Sequence, residues 1–466
     1  MPFRLGRILS FALIALVALL ATRRGAPLAP VQADEPPFFV IEHARIVPVS
    51  GPPIDDGTVV IARGLIQAVG SGAKAPPGAE IIDGHGMVVY PGLVDAMSTV
   101  GLVAGPPPGG GPEPAAPAPP APARAAPPAR PAVSQGPEDR PGTQPWRIAA
   151  DHLEPTDPRI RRWRDAGFTT VLACPAGGML PGQGSIVDLA DGRPIDMVVK
   201  TYAAVPISLT PSGNFFSFPG SLMGAIAYVR QVYIDARWYQ QAAAVYNADA
   251  RGLERPHFDR TERVMAQTLE RHTPVLLPGN LDKEILRAID IAGELDVPAV
   301  LYGLQQGYAV AGQTAASRLP ALVDLDWPAR PKDSDPQAPV TLDVLRFRDR
   351  APSTPAALAR AGVPFGFYSG GITDPKDTLK NAKKAIDAGL DPAAALRAFT
   401  LGAAQILGVA DRLGSIEPGK IANLVVADGD LFNPATKLKL VFVDGRRYTI
   451  HETPATPRPP AAAPAN

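Results

Sequence analysis

Short strand-like runs open and close this chain, and between them strands alternate with helices for about 300 residues. Phe38-Phe39-Val40-Ile41, Thr58-Val59-Val60-Ile61 and Leu65-Ile66-Gln67-Ala68-Val69 are rich in β-branched and aromatic residues, and Arg63-Gly64 turns between the last two. Asn423-Leu424-Val425-Val426-Ala427 and Lys439-Leu440-Val441-Phe442-Val443 repeat that character at the far end, where Asp444-Gly445 turns into Arg447-Tyr448-Thr449. Inside, Pro158 to Ala166 reads as helix and Thr169 to Ala173 as strand. Leu281 to Leu295 carries apolar residues at helical spacing before the strand Pro298 to Tyr302. Pro355 to Ala361 is helical before Val363 to Tyr368, and two helices follow, Asp377 to Ala388 and Pro392 to Leu401. Alternation of this kind builds a parallel sheet, because each helix carries the chain back along it. At this length a (β/α)8 TIM barrel is the leading architecture. An open doubly wound sheet is the alternative, and no strand here runs into a Gly-x-Gly-x-x-Gly turn.

Three stretches fall outside the pattern. Residues 1–33 read as a signal peptide: Arg4 and Arg7 precede the apolar run Ile8 to Ala21, and Val31-Gln32-Ala33 offers small residues for cleavage. The apolar run is short of the roughly 20 residues that span a bilayer as a helix, so export to the periplasm or cell envelope is expected. An uncleaved anchor is the alternative that Arg23 and Arg24 suggest. Residues 103–145 hold 15 prolines among 43 residues, and with so little apolar bulk they are expected to be a disordered insertion. The tail 453–466 has the same character. What remains divides into sandwich strands over 34–92, a barrel over 93–411 and further sandwich strands over 412–452.

Composition excludes some partners. The 45 basic and 45 acidic residues cancel, so no net field draws the chain toward nucleic acid, and no second segment suits a membrane span. Cys174 is the single cysteine, which rules out an internal disulfide. It lies in the apolar run Thr169 to Cys174 and reads as a buried thiol.

Particular stretches resemble the amidohydrolase superfamily, specifically its imidazolonepropionase-like members. Tyr90-Pro91-Gly92-Leu93-Val94-Asp95-Ala96 resembles the family's approach to barrel strand one, and Arg164 to Val171 its next helix and strand. Gly177 to Gly184 resembles a loop of the subgroup. Ala394 to Thr400, with Leu407-Gly408 and Gly414-Ser415-Ile416-Glu417-Pro418-Gly419-Lys420, is the most specific match. The resemblance implies a distorted (β/α)8 barrel and a small β-sandwich built from both chain ends. Gly414 and the Pro418-Gly419 turn are expected to link the two.

The resemblance also implies a chemistry. A divalent metal, usually zinc, sits at the barrel mouth and activates a water for attack on a non-peptide carbon–nitrogen bond. Its first ligands are a His-x-His pair after the strand-one Asp-Ala, alternate residues that point the same way. Here Met97 and Thr99 occupy those slots; a thioether and a hydroxyl are poor zinc ligands. The strand-five histidine position falls at Pro278, beside Gly279 and Asn280. The strand-six position falls at Gly303, beside Tyr302, and the strand-eight aspartate position at Gly370, beside Gly371. The strand-four position has no assignable counterpart. None of the six histidines stands at a predicted strand end: His43, His85 and His451 fall in the sandwich, His152 before one helix, and His257 and His272 around another.

Replacement chemistries leave weak traces. Gly-x-Ser-x-Gly is absent. Ser369 before Gly370-Gly371 is the nearest hydroxyl to a mouth turn, and Asp374 reads as a helix cap ahead of Pro375 and Asp377. Ala225 to Tyr233 reads as a helix packing on the core, with Trp238 and Tyr239 continuing its buried face. No catalytic residue is assigned and no cofactor is expected. The leading expectation is a catalytically degenerate family member that acts by binding, with a small molecule at the mouth and an active paralogue or a second copy as partner. The alternatives are an active hydrolase of cyclic amides or other C–N bonds using an unrecognised site, and an envelope scaffold that reaches partners through 103–145.

Overall fold

The computed structural model describes residues 38–103, 136–210, 218–331, 333–335 and 337–450. Residues 1–33, read above as a signal peptide, the tail 453–466, His451 and most of the proline-rich stretch lie outside them. Strands β1 (Phe39–Ile46), β2 (Ile54–Ala62), β3 (Leu65–Gly70), β4 (Glu80–Asp83) and β5 (Val88–Pro91) open the chain. Eight more follow: β6 (Leu93–Ser98), β7 (Phe168–Ala173), β8 (Gly184–Asp188), β9 (Val198–Pro206), β10 (Val275–Gly279), β11 (Ala299–Gly303), β12 (Ala321–Asp324) and β13 (Phe365–Tyr368). Strands β14 (Leu424–Ala427), β15 (Leu438–Val443) and β16 (Arg446–Thr449) close it.

The middle eight form one nearly closed sheet in chain order, β6 to β13. Side chains alternate across its wall. Val94, Leu172, Leu276, Val300 and Leu322 fill the interior, while Leu93, Val171, Leu277, Leu301 and Val323 face the helices outside. The N-terminal end of the interior is stoppered by Ala403, Ala404 and Leu407, from the helix Leu401–Ile406 and its exit turn. One strand departs from strict (β/α)8 order. β8 runs antiparallel to both β7 and β9, because the Gly177–Gly184 stretch turns the chain directly back where a crossover helix is expected.

The strands at the two chain ends join in a second eight-stranded sheet, in the order β16-β15-β14-β5-β1-β2-β3 with β4 on β1. β1 changes partner midway. Phe39 to Glu42 pair with β4 and Arg45 to Ile46 with β5, either side of His43, whose φ is +57°. β14 is buried on both faces: Leu424 and Val426 enter the core of this sheet, and Val425 and Ala427 pack on the barrel.

Two ties hold barrel and end sheet together. Asn423 Nδ2 donates to Asp188 Oδ1 (2.9 Å) and Thr170 Oγ1 (3.1 Å), and Thr170 Oγ1 donates to the same Asp188 oxygen at 2.6 Å. Burial pushes the Asp188 carboxyl up to about 7, against those hydrogen bonds. Gly414 and Gly419 form the second tie. A Cβ at Gly414 would sit 2.8 Å from Ala404 of the stopper helix, and Gly419 N–H donates to Ile66 O of β3 at 2.8 Å.

The described part of the proline-rich stretch corrects one boundary. Residues 136–145 are not loose: Thr143 is buried with its hydroxyl 2.8 Å from that of Tyr228, and Gln144 N–H donates to Leu180 O at 2.7 Å. Gly142, at φ +74°, lies so close to Gly178 that a side chain at either position would collide, and this contact anchors the segment.

Candidate functional site

A cavity of about 730 Å³ opens at the C-terminal ends of the barrel strands, where this architecture places its reactive loops. Its floor and wall are Met97, Cys174, Tyr302, Asp324, Tyr368 and Ser369, and Arg159 and Arg162 stand at its rim.

The strand-one end is held by an arginine. After β6 bulges between Asp95 and Ser98, Met97 lies half-buried against the interior and Thr99 is exposed. Arg159, on the helix Pro158–Asp165, donates through Nη1 to Thr99 Oγ1 and through Nη2 to Thr99 O, each at 3.0 Å, and through Nη2 to Leu102 O at 2.9 Å. Asp157, the cap of that helix, pairs with the guanidinium at 2.7 Å. A fixed positive charge therefore occupies the second slot of the expected ligand pair.

The sequence-assigned positions on strands five, six and eight come out as follows. Pro278 and Tyr302 are register partners in β10 and β11. Tyr302 lines the cavity, and neither Pro278 nor Gly303 does. The strand-six slot thus falls to Tyr302, and Gly303 is corrected as its holder: alternation turns residue 303 outward, where a Cβ would meet Asn280 Oδ1 at 2.3 Å. Tyr302 donates to Ile207 O at 2.9 Å and stands edge-on to Tyr368, with ring centroids 6.4 Å apart.

Gly370 lines the cavity with φ +57°. A Cβ there would lie 2.0 Å from Asp324 Oδ1, so the carboxyl group at this corner arrives from strand seven. Sequence reading missed Asp324, although Ala321-Leu322-Val323-Asp324 carries the signal: an apolar strand ending in a carboxylate. Asp324 accepts Asp326 N–H at 2.8 Å and bonds the Tyr368 hydroxyl. Burial pushes its carboxyl up to about 7, and the nearby Asp326 and Asp95 carboxylates add to the rise.

Asp95 has a different setting. It is fully buried and accepts Ser369 N–H at 2.9 Å, Ser369 Oγ–H at 2.7 Å and Trp163 Nε1–H at 3.1 Å. Burial raises its pKa, and those donors oppose the rise. Strands β6 and β13 are the two ends of the hydrogen-bonded order, so the Asp95–Ser369 bonds fasten the barrel's seam. Ser369 is only 3% exposed and committed to Asp95, which makes it a fastener in place of a nucleophile. Cys174 is buried, and burial pushes its thiol up to about 12, far from the reactive thiolate.

These donors do not fit a divalent ion. Thr99 is bonded to a guanidinium, Asp95 is spent on three donors, and the remaining slots hold a thioether, a phenol, a proline and a glycine. Among the described residues no three His, Cys, Asp or Glu side chains gather in a metal-holding group. The histidines are distant: His43 and His85 stack at 4.6 Å on the end sheet, His152 sits in a short turn, and His257 and His272 lie either side of the helix Arg260–Glu270. Asp374 caps the helix Pro375–Asp387 through Lys376 N–H at 3.1 Å.

Residues 336–450, from the last barrel helices through β16, match the model of the amidohydrolase family. That match spans about a quarter of the chain. Amidohydrolase tasK of Hapsidospora irregularis is 23% identical over 423 residues, which cover 84% of this chain and 39% of that protein. The chain therefore spans well under half the length of that relative. Among solved structures, an amidohydrolase from Thermotoga maritima superposes with a TM-score of 0.70 at 24% identity, covering 88% of this chain and 99% of the other. A Xaa-Pro dipeptidase with bound methionine gives 0.51 at 15% identity, covering 88% and 100%. Molinate hydrolase gives 0.50 at 17%, covering 93% and 100%. These likenesses show the fold of barrel and end sheet.

Proposed function

We propose that this chain is a metal-free member of the amidohydrolase fold, exported to the cell envelope, that holds a small molecule in its barrel mouth without hydrolysing it. The observation that carries the reading is the Arg159–Thr99 contact: the oxygens of the strand-one end, which in the resemblance presents two imidazoles to a cation, already accept hydrogen bonds from a guanidinium. A divalent ion at that end would meet this fixed positive charge across a few ångströms, with too few donor atoms to offset the repulsion. The cavity itself suits a ligand. It is of ordinary small-molecule size, largely apolar, and edged by a few polar groups: Arg162, Tyr302, Tyr368 and Asp324. Arg162 spends one N–H on Thr373 O at 3.0 Å and keeps the rest toward solvent and cavity.

Metal analysis after exposure to excess zinc tests the reading. Less than about a tenth of an equivalent should remain after desalting, since retention scales with the number of good ligands. Stoichiometric zinc that disappears in Asp324→Asn would overturn it.

Asp324 favours a second reading, a metal-free hydrolase of cyclic amides or other C–N bonds. A carboxyl group that titrates near neutrality in a cavity floor can serve as general acid or base. In that case the purified chain turns over such substrates without metal, with a pH profile breaking near 7, and Asp324→Asn abolishes the activity.

A further inference from the structure

The helix Leu222–Ala248, capped by Ser221 Oγ accepting Gly224 N–H at 3.1 Å, is 27 residues long, or about 40 Å. It packs on the barrel through Ala225, Tyr228, Val229, Val232, Tyr233 and Ala236, and no residue after Ala236 is buried. The last 12 residues are packed more lightly than the first half: Arg237, Tyr239, Gln240, Ala242, Ala243 and Tyr246 are half-buried and the rest exposed. Helix segments this short hold poorly in water on propensity alone.

The side turned to solvent is unusual. Gln231, Ile234, Trp238, Gln241, Val245 and Ala248 are all exposed, at spacings that alternate three and four, the rhythm of a helix-pairing seam. Trp238 is 57%, Ile234 56% and Val245 60% exposed, and Met223 continues the line at 80%. An ordinary solvent face would carry charges. Here every exposed position of the helix is uncharged. Its charges, Arg230, Asp235 and Arg237, lie at the flanks and are engaged: Arg230 with Glu294, Asp235 with Gln231 at 2.7 Å, and Arg237 with Leu295 O. The expectation that Trp238 extends the buried face is thus corrected, because that face ends at Ala236.

We propose that this face is the interface of a two-fold dimer, with the same helix of a second copy as its occupant. Self-complementarity follows from the absence of charge: two copies meet without burying an unpaired ion, whereas a charged partner would find no counter-charge on the seam. The four large apolar side chains expose roughly 500 Å² per copy, so pairing two copies buries about 1,000 Å² before the flanks are counted, the minimum expected of a specific interface. The lightly packed second half of the helix gains cover for its exposed apolar side chains.

Sedimentation velocity of the full chain tests this. The expected result is a particle of twice the chain mass at micromolar concentration, with Trp238 shielded from acrylamide quenching as concentration rises. Ile234→Glu combined with Trp238→Glu should give the single-chain mass with an unchanged circular dichroism spectrum. A second route does not depend on those substitutions. Cys174 is buried, so Ile234→Cys and Gln241→Cys, oxidised singly and mixed, should yield a covalent dimer in at least one pairing. A wild-type chain that stays single at about 100 μM, a double variant that remains dimeric, or no cross-link in any pairing overturns the proposal.

Discussion

Two buried aspartates, two strands apart around the eight-stranded barrel, have opposite fates. Asp95 on β6 receives three donors from Ser369 and Trp163 and fastens the seam to β13. Asp324 on β12 receives one backbone N–H and a tyrosine hydroxyl and looks into the cavity. Burial raises both carboxyls. The difference lies in what offsets it: a carboxylate encircled by donors becomes a structural fastener, and one left short of them remains free to titrate and to meet a ligand.

Breaking the fastener should cost most. Asp95→Ala strands two Ser369 donors and the Trp163 indole and frees the seam, so urea unfolding should show a loss of about 3 to 5 kcal/mol. The open carboxylate should behave in reverse. Its folded pKa, about 7, stands above the ordinary value of 3.8, so the folded state favours the protonated form. The stability this contributes is complete below pH 4 and is lost as pH rises through 7. Asp324→Asn should therefore match the parent near pH 4 and exceed it by about 2 to 4 kcal/mol near pH 8, read from unfolding midpoints across that range. The part of the pH dependence owed to Asp188, likewise raised to about 7, should persist.

Gly370→Ala probes the space between the two. With a Cβ 2.0 Å from Asp324 Oδ1 and φ at +57°, it should lose about 2 kcal/mol, and Asp324→Ala in the same chain should recover part of that in a double-mutant cycle. The smallest effect belongs to Thr99→Val, which removes one acceptor from Arg159: about 1 kcal/mol, with zinc retention still absent.

Much of the fold was legible because periodicity and turn chemistry are local. The strands at 58–61, 65–69 and 169–173, the strand ending at Tyr368, and the helices after Pro158 and Pro392 stand where apolar spacing and proline starts put them. The reversed β8 was not legible. A short β-rich run reads the same in either direction, and only the tight Gly177–Gly184 path decides its sense. In the site, Met97, Thr99 and Gly370 were placed by their neighbours in sequence, while Asp324 escaped because strand seven had no motif attached to it.

The sequence by itself determined the alternation of strands and helices, the strand character of both chain ends and the lone thiol in an apolar run. These follow from residue type and spacing along the chain. Only the tertiary structure decided that Arg159 closes on Thr99, that Asp324 fills the corner left by Gly370, and that Trp238 faces solvent. Each of those depends on residues between 46 and 60 positions apart, or on which side of a helix meets the core, and such distances are set by packing in three dimensions.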